Sequence, residues 1–301
     1  MNVTFYSSAA EFLSDTEKAL LQDEARYGLM LGIARRTAEN PQFYGAVPWF
    51  CAVYDGNQLN AAAMRTPPFK IILAQFAGDA DVVAGRLFEA VSQQEKELPG
   101  AIGEQEITGS FKDLWCQAKG VSVQQTMPER LYRLERVNNI SLSPGRLRQA
   151  TAADKELLLK WGHAFHQECF GVSSNEPETD INPNIDRGEV FLWEDQKPVS
   201  VAARGRPTQT GIAVNLVYTP PNQRRKGYAT SSVAQLCRQL LQSGYRFCML
   251  FADLSNPVSN SIYQKIGFYK VCDIANYAFT PPAPRQHPES PNADSCPSRP
   301  T

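Results

Sequence analysis

Two stretches of the sequence, a constant 140 residues apart, run through the same order of apolar segments and turns. "FCAVYDGNQLNAAAMRTPPF" begins at Phe50 and "VFLWEDQKPVSVAARGRPTQ" at Val190, so that Asp55 falls on Asp195, Ala62 on Ala202, Ala63 on Ala203 and Pro67 on Pro207. Each is an apolar run, a polar turn and a second strand-like run, which reads as a hairpin. The apolar runs "KIILAQF" from Lys70 and "IAVNLVY" from Ile212 come next, then helical patterns over Val82–Glu97 and Tyr228–Ser243. A strand and a helix follow in each copy: "QEIT" with Ser110–Lys119, and "RFCMLFA" with Pro257–Ile266. Each copy closes on a strand, near Arg130–Val137 and Val271–Phe279. A repeat of this length predicts two copies of one α+β domain, residues 1–138 and 145–280, joined around Asn138–Pro144. Residues 281–301 hold seven prolines among polar residues. Such a composition offers too little apolar surface to offset ordering entropy, so a disordered tail is expected there.

Composition narrows the function classes. The formal net charge of −1 gives no global attraction to nucleic acid or an anionic membrane, so any basic site must be local. Seven scattered cysteines, without a C-x-x-C pair, fit neither a disulfide framework nor a zinc site. No basic-then-apolar leader opens the chain and no run of 18 apolar residues occurs, so it reads as cytosolic. His163, His166 and Cys169 share one helical stretch, Asp154–Cys169, but no further ligand cluster accompanies them, and no metal is expected.

The stretch "VYTPPNQRRKGYATSS" (Val217–Ser232) carries the chemistry. An apolar strand over Ile212–Tyr218, with Asn215 its one polar side chain, stops at Pro220 and Pro221, which lack the N–H a ladder needs. From Tyr228, apolar residues recur at Ala229, Val233, Leu236, Cys237, Leu240 and Leu241, a helical stripe. A strand over "RFCMLFA" after that helix implies parallel pairing with a right-handed crossover. Arg224, Arg225, Lys226 and Gly227 therefore lie where a strand turns into a helix N-terminus, whose first N–H groups lack internal acceptors and favour an anion. Neither a Walker loop nor G-x-G-x-x-G is present. In the second element, "DLSNPVSNSIYQKIGF" (Asp253–Phe268), Asn256 suits a helix N-cap, Pro257 its first turn and Gly267 its end. Val258, Ile262 and Ile266 make an apolar stripe; Asn256, Asn260 and Tyr263 make a polar one.

The segment Val217–Phe268 resembles the acetyl-CoA-binding core of the GNAT N-acetyltransferase superfamily. Arg224-Arg225-Lys226-Gly227-Tyr228-Ala229 matches that family's Q/R-x-x-G-x-G/A motif, and "SNPVSNSIYQKIGF" resembles its later Asn…Tyr…Gly-Phe motif. The resemblance implies a mixed, mostly antiparallel sheet in each domain, with a splayed central parallel pair that admits pantetheine, flanked by helices. It further implies acetyl-CoA or another short acyl-CoA as cosubstrate. Backbone groups of Val217, Tyr218 and Thr219 would hold the pantetheine. Arg224, Arg225, Lys226, Gly227, Tyr228, Ala229 and Thr230 would surround the diphosphate, and Asn256 and Asn260 would contact the cofactor arm. An amine, free or on a peptide, would attack the thioester directly, with Tyr263 as the acid for the leaving thiolate. Where the family often places a Glu, this strand has only Asn215; Asp253, Glu168 and His166 are the other candidate bases. Trp161, Phe165 and His166 would border the acceptor. Small amines, amino acids, antibiotics and peptide termini all fit so far. A sensor that binds acyl-CoA without transferring the acyl group is the alternative.

The first copy departs from the motif. "AGDADVVAGRLF" puts Asp79 and Asp81 where the second copy has cations. Aspartates suit a helix N-terminus but would repel a diphosphate, so the first copy is expected not to bind CoA.

Overall fold

The structure is a computed structural model that describes residues 1–125, 128–170 and 176–280, without side chains at 125, 170 and 176–180. The expected tail, 281–301, lies outside these residues. In chain order the first half comprises β1 (Asn2–Tyr6), α1 (Ala9–Leu20), α2 (Gly28–Glu39), β2 (Trp49–Asp55), β3 (Gln58–Arg65), β4 (Ile71–Gln75), α3 (Ala80–Gln94), β5 (Gly100–Glu104), α4 (Gln105–Lys119), β6 (Ser122–Gln125) and β7 (Glu129–Leu134). The second half comprises β8 (Arg146–Gln149), α5 (Lys155–Phe170), α6 (Glu176–Asp186), β9 (Val190–Asp195), β10 (Lys197–Gly205), β11 (Gly211–Tyr218), α7 (Tyr228–Gln242), β12 (Phe247–Asp253), α8 (Pro257–Ile266) and β13 (Tyr269–Thr280). From the β2–β3 hairpin to α4 the order of the first half is that of β9 to α8, as the repeat predicts. One expected strand is corrected: "QEIT" opens helix α4, and the strand is the preceding Gly100–Glu104.

All strands belong to one sheet, in the order β1-β2-β3-β4-β5-β13-β7-β12-β11-β10-β9-β8, with β6 also paired to β13. The closing strands are exchanged. β7, from the first half, pairs antiparallel with β12 of the second, Leu131 opposite Phe251. The 12-residue β13 does two jobs: Tyr269–Ile274 lies along β7, and Ile274–Thr280 lies along β5 and β6 of the first half. A cut at 138–145 thus separates the repeats along the chain but not across the sheet.

Apolar alternation gives each half two packed layers. Leu87, Phe111, Trp115 and Phe279 lie under α3 and α4, whereas Phe12, Met30, Leu31 and Met64 lie under α1 and α2. In the second half Ile212, Val214, Leu236 and Leu250 pack under α7 and α8, and Leu158, Trp161, Leu192 and Tyr218 under α5. A further cluster of Ala25, Leu131, Ala213, Phe247, Met249 and Ile274 joins the halves. The Glu24 carboxylate reinforces this seam, accepting from Thr208 Oγ1 at 2.6 Å, Thr210 N at 2.8 Å and Thr210 Oγ1 at 2.8 Å. Helix α2 crosses at Gly32, where a Cβ would stand 2.9 Å from Arg206 Cβ.

Candidate functional site

β11 and β12 run parallel, yet only Gly211–Ala213 pair, with Phe247–Met249. Both strands continue beyond that point, to Tyr218 and Asp253, leaving an open slot. A bulge causes the divergence. Between the Val201–Tyr218 and Ala203–Asn215 pairs, β11 carries an extra residue, and Leu216 has φ +47°. The sequence reading gave the release of this strand to Pro220 and Pro221. The strands part at Ala213, well before the prolines, which lie in the turn that follows. Val217 and Tyr218 stand at the slot; Thr219 Oγ1 is bound to Ser200 Oγ at 2.8 Å, and Tyr218 O accepts from Ser200 Oγ at 3.1 Å.

The turn into α7 exposes its amides. Helix α7 has no side-chain cap, and the N–H groups from Arg225 to Thr230 meet no acceptor among the described residues; the first satisfied one is Ser231 N, on Gly227 O. Behind the turn, Ser143 Oγ donates to Lys226 O at 2.7 Å and Ser231 Oγ to Gly227 O at 3.0 Å. In a trans peptide the N–H points opposite to its C=O, so anchoring the carbonyls behind turns the amides outward. Gly227, at φ +78°, is needed for the turn. A Cβ there would lie 2.7 Å from Ser143 Oγ, so its missing side chain makes room for the linker rather than for a ligand. Sequence reasoning missed Ser143 and Ser231; hydroxyls in the linker and the first helical turn were the available signal.

Other expected residues divide clearly. Arg225 is exposed at φ +64°, and Lys226 donates only to Gln223 Oε1 at 3.0 Å, so both keep charge at the turn. Arg224 is not turned to the amides. It grips Glu168 at 2.6 and 2.8 Å and donates to Thr219 O at 2.8 Å. Glu168, a candidate base, is occupied by that pair and by Tyr218 Oη at 3.3 Å. Tyr228 turns inward to Asp195 at 2.6 Å, and Thr230 is buried, so both offer backbone only; Ala229 is half-buried. Trp161 packs 6.3 Å from the Tyr218 ring, and Phe165 stands against His166 at 6.0 Å. Among the described residues no three metal-ligating side chains converge.

Beyond the slot, Asn256 caps α8, accepting from Ser259 N at 3.1 Å. Asn260 is a strut rather than a free contact: it accepts from Tyr132 Oη at 2.8 Å and donates to Asp253 O and Asn256 O, each at 2.7 Å. Val258, expected in the core stripe, is 68% exposed, whereas Ile266 is buried. Tyr263 is buried against Tyr132 and Phe268, and its hydroxyl makes no hydrogen bond among the described residues. Burial, followed by the Cys169 and Cys237 thiols, pushes its phenol above the usual value.

A second carboxylate, absent from the sequence reading, faces the opposite side of the sheet. Strand alternation puts Glu129 of β7 on the face of Leu131, while Tyr132 shares the face of Tyr263. Glu129 accepts from Asn276 Nδ2 at 3.1 Å, and Lys70 Nζ donates to Asn276 Oδ1 at 2.6 Å. Burial raises the Glu129 carboxyl above the ordinary glutamate value. Asp253, paired with it across the strands, is held by Ser255 N and Oγ. Only the strand exchange brings Glu129 here, which is why local sequence around β11 gave no sign of it.

The equivalent place in the first half is filled. β4 and β5 also pair over three residues only, Ile71–Leu73 with Ala101–Gly103. There, however, the Glu104 carboxylate, held by Arg26 at 3.3 Å, ends β5 beside the gap, and Gln75 O accepts from Tyr27 Oη at 2.7 Å. Asp79 caps α3, accepting from Asp81 N and Val82 N at 3.1 Å each.

Comparison with known proteins agrees with this geometry. Residues 196–277 match the family described as FR47-like protein. No curated protein sequence matches the chain. Among solved structures, a GNAT-family acetyltransferase from Colwellia psychrerythraea superposes with TM-score 0.53 and 15% identity, covering 93% of this chain and 100% of its own. This is a GNAT fold. A tandem GNAT protein of the clavulanic acid biosynthesis pathway matches with TM-score 0.54 and 8% identity over 95% of this chain and 100% of that one. A Drosophila protein reaches TM-score 0.68 at 13% identity, over 92% and 97%. The GNAT fold thus extends over nearly the whole chain, not only over the FR47-like segment.

Proposed function

We propose that the chain is an acetyl-CoA-dependent N-acetyltransferase whose second half binds the cosubstrate. The uncapped, outward-turned amides of Arg225–Thr230, at the end of a splayed parallel pair, carry this reading. A diphosphate is an acceptor-only anion, and an open helix N-terminus is a donor-only site, so the two are chemically matched. Bound acetyl-CoA supplies an activated acyl thioester. The chain's own groups then have separate tasks. The amides of Arg225–Thr230 hold the diphosphate, with Lys226 and Arg225 adding charge. Backbone N–H near Val217 stabilises developing negative charge on the acyl oxygen. The Tyr263 hydroxyl, with no other partner among the described residues, donates to sulfur; its raised pKa suits a hydrogen-bond donor that stays protonated. Glu129, on the opposite sheet face, takes the proton of the attacking amine, which a carboxyl raised by burial does well near neutral pH. Acid and base thus flank the slot from opposite faces.

The absence of a carboxylate on β11 had favoured a non-catalytic sensor. A buried Glu129 from β7 supports a base supplied by another strand and so favours transfer. The filled slot and capped α3 of the first half support its having no CoA site. Release of free thiol from acetyl-CoA, measured across a panel of amines, tests the reading: turnover with at least one amine is expected. CoA binding without turnover on any amine would leave the sensor.

A further inference from the structure

A cavity of about 880 Å³ lies between the halves, walled by α2 on one side and by the ends of β10, β11 and α6 on the other. Its charge is lopsided. Arg36, Lys70, Arg187, Arg204 and Arg206 line it against one carboxylate, Glu189. Glu189 is already shared by Arg36 at 3.3 Å and Arg187 at 3.0 Å. Arg206 differs from these: its guanidinium makes no hydrogen bond or ion pair among the described residues, although it is only partly accessible. Burial pushes it below the usual arginine value. The Glu129 carboxylate acts on it only through space, so its donors stay unfilled among the described residues, which is costly for a buried guanidinium, and an anionic ligand relieves that cost. Asn215, on β11 beside the bulge, also lines the cavity, and its buried Oδ1 has no hydrogen-bond partner. The rest of the wall includes Leu29, Ile33, Phe43 and Phe69. Asn276, hydrogen-bonded to Glu129, completes it near the slot.

We propose that this cavity takes the acceptor, and that the acceptor is an amine bearing its own carboxylate and an apolar body: Arg206 binds the carboxylate, Asn215 Oδ1 accepts from the ammonium, and the α2 side chains cover the apolar part. The inference rests on the transferase reading and names the substrate class of the same site. The specificity element is then contributed by both halves, which gives the first half a role without a cofactor of its own.

The test compares matched probes by calorimetry on the full chain, alone and saturated with CoA: L-leucine against 3-methylbutylamine, and L-phenylalanine against 2-phenylethylamine. The expected result is binding of at least one amino acid about tenfold or more tighter than its decarboxylated partner. That preference is expected to vanish in Arg206→Met and to survive in part in Arg206→Lys. Unchanged CoA affinity in both variants would report intact folding, and the ligand comparison on the unaltered chain stands even if a variant fails to fold. Equal binding of each pair, tighter binding of the amines, or no binding of any probe overturns the inference. CoA binding in the same cells separates the two readings: if CoA binds and the preference is absent, the acceptor inference alone fails; if CoA does not bind, the transferase reading fails.

Discussion

At the residue scale, the account depends on which polar groups already have partners. Tyr263 has none for its hydroxyl among the described residues, so Tyr263→Phe is expected to lower kcat by about 10²–10⁴ while leaving CoA affinity unchanged, as steady-state kinetics and calorimetry would report. Equal activity in the variant would remove the phenol from the reaction. Glu129 supplies a pH signature. Its carboxyl is raised by burial, so the acidic limb of kcat/KM should lie above the ordinary glutamate range, and Glu129→Gln should abolish that limb with a similar loss of rate. A separate pH effect belongs to stability. Arg148 hydrogen bonds hold Asp154 at about 2, from an ordinary 3.8. A depressed folded-state pKa contributes stability that is complete above the unfolded value and is lost as pH falls through the folded one. The melting temperature should therefore drop between about pH 4 and pH 2, and less steeply in Asp154→Asn. Much of this scale was legible. The Arg224–Thr230 turn and the Asn256 cap sit where local pattern puts them, whereas Tyr263, read into the polar stripe of its helix, is buried against Tyr132 and Phe268. Asn260 and Arg224 were misread because their partners, Tyr132 and Glu168, are 128 and 56 residues away.

At the element scale, the periodicities gave most strands and helices of both copies, because each has a one-sided apolar stripe. The exchange of β7 and β13 was not legible. Either strand satisfies the same hydrogen-bond ladder and the same apolar alternation in its own half or in the other, so no local pattern distinguishes the two. The bulge at Leu216 escaped for a related reason: one extra residue in an apolar run leaves its composition unchanged. The exchange has a measurable consequence. Phe279, near the end of β13, is buried against Trp115 of the first half at 6.5 Å between rings. Phe279→Ala is expected to destabilise the chain by about 3 kcal/mol and to alter the fluorescence of Trp115. If denaturant titration reads a cost below about 1 kcal/mol, the last strand does not complete the first half's core. By the same reasoning, fragments 1–138 and 145–280 should each be unfolded alone and should assemble when mixed, as circular dichroism and gel filtration would show.

At the scale of the whole molecule, the two halves share one order of elements, β2 to α4 in the first and β9 to α8 in the second, and differ at the turn into the helix that follows the parallel strand. One keeps an open slot and a bare helix N-terminus. In the other, Glu104 occupies the slot and Asp79 occupies the helix, and the shared sheet makes the halves one unit. The sequence announced this asymmetry in Asp79 and Asp81 standing where the second half has cations, whereas the junction cavity needed the halves in place. Calorimetric titration of the full chain with acetyl-CoA tests the central claim most directly. The account predicts one equivalent bound per chain, unaffected by Asp79→Ala and weakened about tenfold or more by Gly227→Asp, which would set a carboxylate at the α7 amides. Two equivalents, or one that survives Gly227→Asp but is lost in Asp79→Ala, would contradict it.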